Sequence, residues 1–127
     1  MTVLRATKNN IKIVAQIVKD GGIIAFPTET VYGLGCDPLN IQAVQRLITV
    51  KGQRKKPFPV LVASFEDATK IAHISNNGKK WASKFWPGPL TMVFRKKKIL
   101  ADEVTFGLDS VGLRIPNNQV ALRLIEL

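Results

Sequence analysis

Segments with helical spacing of apolar residues alternate with short continuous apolar runs along this sequence, and the alternation limits the folds open to it. Apolar residues recur at helical spacing within residues 11–18, and Gly21 and Gly22 then provide a helix end. The apolar run 23–26 follows and is typical of a strand covered on both faces. Because both patterns recur, with some consecutive strands late, the sequence predicts an α/β domain with a twisted, open mixed sheet and flanking helices.

The other elements are predicted from the same patterns. Strands are expected at 3–6, 60–63, 90–94 and 111–115, and helices at 41–48, 65–72, 77–85 and 119–125. Residues suited to cap helices precede several of these segments: Asn9 or Asn10, Asn40, Ser64, and Asn117 or Asn118. No repeat or low-complexity linker divides the chain, so residues 1–127 are expected to form a single domain.

Positive charge is concentrated in the middle of the chain. The net charge is +10, and twelve Lys or Arg lie between Lys51 and Lys98 against two acids, Glu66 and Asp67. Such a bias favours a polyanionic partner, which can be nucleotide phosphates, RNA or an acidic membrane surface. The alternative is an ordinary soluble protein with a basic isoelectric point. The 46% apolar content is that of a globular protein rather than a disordered one.

Several classes of protein are disfavoured by what the sequence contains. Cys36 is the only cysteine, so an internal disulfide is impossible, which fits a cytoplasmic location. No basic stretch leads into a long apolar run, so neither a signal peptide nor a membrane span is expected. His, Cys and Asp show no metal-ligand spacing, and no nucleophile sits beside a base, so no metal site, tightly bound cofactor or covalent intermediate is expected.

Two segments combine side chains that can bind a ligand. The first, Pro-Thr-Glu-Thr-Val-Tyr-Gly-Leu-Gly at 27–35, places Thr28, Thr30 and Tyr32 where a strand ends, a common location for a ligand crevice. An ordinary Thr-rich strand with a tight turn is the alternative. The second, at 51–60, surrounds a turn with four cations that can clamp phosphate oxygens, or that form a solvated basic loop.

Two later segments are also distinctive. In Phe-Trp-Pro-Gly-Pro-Leu-Thr, residues 85–91, we expect Trp86 to anchor a rigid turn against the core. In Ser-Val-Gly-Leu-Arg-Ile-Pro, residues 110–116, Arg114 points away from an apolar strand face and must have a partner. A carboxylate or phosphate ligand would satisfy it, and so would a structural pairing with Glu29 or Asp109.

These four segments, in this order, resemble the YrdC family of threonylcarbamoyl-AMP synthases. The resemblance extends from about Ile11 to the end of the chain. It implies a twisted open α/β sheet with a basic concave face. It also implies that L-threonine, bicarbonate and ATP, carried with Mg²⁺, are converted to threonylcarbamoyl-AMP and pyrophosphate. The product would pass to a separate transferase that modifies tRNA. A non-catalytic module that binds tRNA or double-stranded RNA is the alternative from another class.

The resemblance also assigns residues. Thr30 and Arg114 match positions that contact threonine, and a guanidinium suits a two-pronged carboxylate contact. Positions that contact ATP are matched by Lys51, Arg54, Lys56 and Ser110.

The sequence also departs from the family pattern. Gln53 stands where many members have Arg, and Leu61 stands where some have a threonine-contacting His. The 127 residues do not contain the family's later Ser-Ala-Asn segment, so we expect weak or no synthase activity from them.

Overall fold

The computed structural model describes residues 2–52 and 56–127. The helices in this part of the chain are α1 (Lys8–Lys19), α2 (Ile41–Lys51), α3 (Phe65–Ile71), α4 (Asn76–Phe85), α5 (Asp102–Thr105) and α6 (Gln119–Glu126). The strands are β1 (Ile24–Pro27), β2 (Tyr32–Gly35), β3 (Val60–Leu61), β4 (Ala72–His73), β5 (Met92–Lys96) and β6 (Ser110–Arg114). Gln53, Arg54 and Lys55 lie outside the described residues.

The strands form two sheets. β1 and β2 pair as an antiparallel hairpin, and the other strands form a four-stranded sheet in the order β3-β6-β5-β4. In that sheet β3 runs parallel to β6, while β5 is antiparallel to both β6 and β4. The sequence prediction of an α/β fold with a mixed sheet is therefore confirmed.

Helix starts follow the capping side chains closely. Asn40, Ser64 and Asn118 each accept a hydrogen bond from a backbone amide of the helix that follows, as the sequence predicts. For α1 the prediction of Asn9 or Asn10 is wrong. Thr7 Oγ1 accepts from Asn10 N at 3.2 Å, because the helix already begins at Lys8.

The core lies on one face of the four-stranded sheet. In β6, Val111 and Leu113 are buried, while Ser110, Gly112 and Arg114 alternate with them on the half-exposed face. The indole of Trp86 is buried and donates from Nε1 to Leu90 O at 2.9 Å. The prediction that this side chain anchors its turn against the core is thus confirmed.

Two predicted strands differ in the structure. Residues 3–6 form no strand, and the residues from Val3 to Ala6 are exposed. The run 23–26 is part of a two-stranded hairpin rather than of a doubly covered strand, and Ala25 in it is exposed. Helices α1 and α6 pack against β1, so its apolar residues do not need a second covering layer. Within the described residues, no helix has the length and apolar character needed to cross a membrane.

Candidate functional site

The loop of the β1–β2 hairpin is organised by one hydroxyl group. Thr28 Oγ1 donates to Val31 O at 2.6 Å and accepts from the backbone amides of Thr30 and Val31. Thr30 Oγ1 lies 3.0 Å from Thr28 Oγ1. Either hydroxyl group can be the donor of this contact. In either case at least one lone pair of Thr30 Oγ1 remains available to accept a hydrogen bond from a ligand.

Glu29, in the same loop, joins the hairpin to the end of β6. Its Oε1 pairs with Arg114 Nη2, and its Oε2 accepts from Asn117 N at 2.6 Å. Arg114 Nε donates in turn to Gly88 O at 2.9 Å, so the guanidinium is held from two directions. Of the partners that the sequence left open for Arg114, the structure shows Glu29; Asp109 lies beyond the opposite end of β6.

The surroundings keep Glu29 ionised. Burial raises the pKa of its carboxyl group, but the backbone amides of Asn117 and of Glu29 itself, together with the charge of Arg114, act in the opposite direction and prevail. The net result is a pKa below the usual value of 4.5. The side chains of Arg114 and Glu29 are 13% and 20% exposed, so the pair is shielded from water yet reachable from the open face of the sheet.

That open face extends across three strands. Ser110, Gly112 and Arg114 of β6 lie on it, and Leu61 of β3 is the register partner of Arg114. Arg95 of β5 is the register partner of Ser110 and is exposed. Ser110 and Arg114 are four residues apart, about 13 Å along the strand. The open face thus has one cation at each end of β6.

The basic segment lies at the Ser110 end of β6. Lys51 Nζ lies 5.1 Å from the centroid of the Phe58 ring, which packs edge-on against Phe106 at 5.6 Å. Phe106 precedes Ser110 by only four residues. Lys56 is exposed in the same segment. Because β3 runs parallel to β6 with Val60 beside Leu113, residues 56–59 lie towards the N-terminal end of β6. That Lys51, Lys56 and Ser110 bind one ligand there stays a prediction.

The predicted site residues fall into two groups. Thr28, Thr30 and Arg114 meet at the C-terminal end of β6 through Glu29, while Lys51, Lys56 and Ser110 lie towards its N-terminal end. Tyr32 is 76% exposed at the start of β2, where it is the register partner of Pro27 beside the threonine loop. The predicted role of Arg54 falls outside the described residues and stays a prediction.

Glu29 is the residue that sequence reasoning did not assign to the site. Its position between two threonines was visible in the sequence, and so was the need of Arg114 for a partner. The distance of 85 residues between Glu29 and Arg114 concealed which carboxylate would be chosen. Leu61 was noted only as a departure from the family pattern, and its register places it beside Arg114.

Metal binding has no structural basis in residues 2–52 and 56–127. There, no group of three or more His, Cys, Asp or Glu side chains is placed to hold an ion. Cys36 is half-buried and free, and burial followed by the charge of Asp37 raises the pKa of its thiol, which disfavours a reactive thiolate. The cations on the open face, Arg95 and Arg114, are suited to binding anions.

Comparison with known proteins identifies the family of the chain. Residues 16–127 match the model of the Sua5/YciO/YrdC family, which carries the description "Telomere recombination". Threonylcarbamoyl-AMP synthase of Pyrococcus abyssi is 43% identical over 119 residues, which are 92% of this chain and 35% of that protein. The Bacillus subtilis enzyme of the same name is 38% identical over 118 residues, covering 88% of this chain and 33% of the relative. The chain therefore spans about a third of the length of these relatives.

Solved structures give the same result. Pyrococcus abyssi Sua5 in complex with L-threonine superimposes with a TM-score of 0.90 at 39% identity, covering 98% of this chain and 37% of that one. A variant of the same protein gives a TM-score of 0.93 at 40% identity, covering 99% and 39%. Escherichia coli YciO, at 22% identity and a TM-score of 0.86, shares the fold over 94% of this chain and 59% of its own. On the match of its sequence, its fold and its four motifs, the chain belongs to the Sua5/YciO/YrdC family.

Proposed function

We propose that this chain carries the threonine-binding and ATP-binding surface of a threonylcarbamoyl-AMP synthase. The observation that carries the proposal is the meeting of the Thr28–Thr30 loop with Arg114 at one end of β6, while the lysines and Ser110 lie towards the other. The relatives named threonylcarbamoyl-AMP synthase support it, and so does the solved relative in complex with L-threonine.

The proposed threonine subsite is complementary to an amino acid. Arg114 has five N–H groups, and the contacts with Gly88 and Glu29 use two of them. The remaining N–H groups can bind a carboxylate with two parallel hydrogen bonds. Thr30 Oγ1, which is hydrogen-bonded to Thr28 Oγ1, can also accept from the amino or hydroxyl group of the same ligand. Thr28 itself is engaged within the loop, so its role in the subsite is to shape it.

The proposed ATP subsite lies towards the Ser110 end. Lys51 and Lys56 are exposed, and their ammonium groups suit phosphate oxygens, which accept hydrogen bonds from many directions. Arg54 joins this subsite on sequence grounds. Mg²⁺ would arrive as part of the ATP substrate, since it prefers phosphate oxygens and retained water over a dedicated protein cage.

The chemistry proposed needs positioning and charge neutralisation rather than a nucleophilic side chain. The amino group of threonine and bicarbonate condense with loss of water to give a carbamate. An oxygen of that carbamate attacks the α-phosphorus of ATP, and the bond to the bridging oxygen breaks. Pyrophosphate leaves with the electron pair, and threonylcarbamoyl-AMP remains. Cations at the Ser110 end would stabilise the charge of the leaving pyrophosphate.

The wider role follows from the same proposal. The product would be used by a tRNA-modifying transferase in the cytoplasm. A module that only binds RNA receives less support, because the relatives are named as synthases and Thr30 and Arg114 suit a small carboxylate. Because the open face carries Arg95 and Arg114, tRNA is proposed as an additional partner of the chain.

Calorimetric titration of L-threonine into the chain, with and without ATP, tests the proposal. We expect saturable threonine binding, weaker for L-alanine, which lacks the hydroxyl group. Release of pyrophosphate from ATP that depends on both threonine and bicarbonate tests the reaction itself. Absence of threonine binding at millimolar concentration, together with tight binding of duplex RNA, would favour the RNA-binding module instead.

A further inference from the structure

Glu29 belongs to neither group of proposed ligand contacts, yet it links the parts of the threonine subsite. It comes from the hairpin loop, whereas its two partners come from β6 and from the segment that follows β6. The hairpin is a separate two-stranded sheet, and such hairpins have little stability of their own. Its position relative to β6 must therefore be set by contacts outside the backbone ladder.

We propose that Glu29 is a positioning residue of the threonine subsite, which fixes the Thr28–Val31 loop to the end of β6 and sets the orientation of the Arg114 guanidinium. The inference rests on the proposed function for the identity of the ligand. It goes further by assigning a role to a residue that makes no ligand contact in that proposal.

The geometry favours positioning over competition for Arg114. Glu29 uses one N–H of Arg114, and its other oxygen is committed to Asn117 N at 2.6 Å. The carbonyl of Gly88 holds Nε of the same guanidinium at 2.9 Å. Three N–H groups are left, so a ligand carboxylate can bind while Glu29 stays in place. Rotation of the guanidinium would break charged hydrogen bonds on two sides.

The same contacts place Thr30 relative to Arg114. Glu29 lies between Thr28 and Thr30, whose hydroxyl groups are 3.0 Å apart. When Glu29 is bound to Arg114 and Asn117, the loop that carries the Thr30 hydroxyl group is fixed to the end of β6. Without the Glu29 contacts, the Thr30 hydroxyl group and the Arg114 guanidinium would both still be present but could move apart. Small displacements of this kind strongly reduce binding and catalysis.

Threonine and ATP affinities of Glu29→Ala, Glu29→Gln and the unaltered chain test this inference. We expect Glu29→Ala to raise the threonine Kd by about tenfold or more and to leave the ATP Kd within about twofold. Glu29→Gln keeps an acceptor for Asn117 and should retain more threonine affinity than Glu29→Ala, since a neutral acceptor is weaker than a charged one but still present. Glu126→Ala, which removes an exposed glutamate from α6, is the matched control.

The outcomes separate this inference from the proposed function. Equal or tighter threonine binding by Glu29→Ala would overturn the positioning role, and tighter binding would mean that Glu29 competes with the ligand. If Glu29→Ala does not fold, the threonine affinity of Glu29→Gln decides, and an unchanged value overturns the role. If the unaltered chain binds no threonine, the proposed function fails. Faster hydrogen exchange of the Asn117 amide in Glu29→Ala would then still support the positioning of the loop, and unchanged exchange would contradict it.

Discussion

The two ends of strand β6 are built on different physical principles. At the C-terminal end, Arg114 is held by directional hydrogen bonds to Glu29 and to the Gly88 carbonyl. At the N-terminal end, Phe58 and Phe106 pack edge-on, and Lys51, an exposed residue, places its ammonium group over the Phe58 ring. A fixed guanidinium suits one small carboxylate of defined geometry, whereas long, exposed cations suit a phosphate chain with many oxygens. The contrast supports the proposal that one strand serves two different ligands.

Truncating the fully buried core residue of β6 should have the largest effect. Leu113, which adjoins Arg114, belongs to the core cluster, so Leu113→Ala leaves a cavity on the core face of β6. We expect a loss of about 3 kcal/mol in the free energy of unfolding, measured by urea denaturation. Val93→Ala, on the exposed face of the neighbouring strand, is the control and should change stability by less than about 0.5 kcal/mol. A loss below about 1 kcal/mol for Leu113→Ala would mean that the core tolerates the cavity.

Removing cations from the basic segment should weaken ATP binding at the Ser110 end and leave threonine binding unchanged. Replacing Lys51 and Arg54 together with Ala is expected to weaken ATP binding by about 2 kcal/mol or more, the usual worth of charged hydrogen bonds. Threonine affinity should not change, because Arg114 lies at the other end of β6. Calorimetry measures both. Lys80→Ala combined with Lys98→Ala removes the same charge from exposed positions elsewhere. Equal losses in the two double variants would show that net charge, not this segment, attracts ATP.

Replacing the guanidinium of Arg114 tests threonine binding at the C-terminal end of β6. Arg114→Lys keeps the charge but cannot give a two-pronged contact or satisfy Gly88 and Glu29 together, so threonine affinity should fall at least about tenfold. ATP affinity should stay close to that of the unaltered chain. Arg123→Lys, at an exposed position in α6, is the control. A lower melting temperature with unchanged threonine affinity would make Arg114 a structural partner of Glu29 only.

Local signals in the sequence predicted much of the fold. Asn40, Ser64 and Asn118 cap their helices because capping needs only a side-chain oxygen within three residues of the helix start. The two-residue strands β3 and β4 are too short for a period-2 pattern to determine their bounds, and β4 was not predicted. The hairpin around 28–31 was missed as a hairpin because the Thr28 hydroxyl group, rather than a Gly-containing turn pair, organises its loop.

The sequence predicted residues of the candidate site but not the contacts between them. Arg114 needed a partner on grounds of charge burial alone, which any carboxylate could satisfy. The choice of Glu29 depends on how the hairpin packs on α1 and α6, and that packing depends on many weak apolar contacts along the chain. Pairings of this kind are a property of the tertiary fold, so local patterns cannot reveal them.

Lowering the pH should remove the stabilisation that Glu29 provides at the C-terminal end of β6. The resulting change in the free energy of unfolding should be the smallest of the predicted effects. The folded chain lowers the pKa of Glu29 below its ordinary value of 4.5, so the ionised form is stabilised by folding. That contribution is complete above the unfolded pKa, declines as pH falls below about 4.5, and is lost once pH passes the folded pKa.

Glu29→Gln cannot titrate, so its stability deficit relative to the unaltered chain should be largest at neutral pH and shrink towards acid pH. Urea denaturation of both proteins at neutral pH and at steps below pH 4.5 measures the difference, and Glu126→Gln gives the baseline for an exposed glutamate. A deficit that stays constant across this range would mean that the charge of Glu29 adds nothing to its hydrogen bonds. The attachment of the hairpin to β6 would then depend on the hydrogen bonds and the shape of the side chain, without a contribution from its charge.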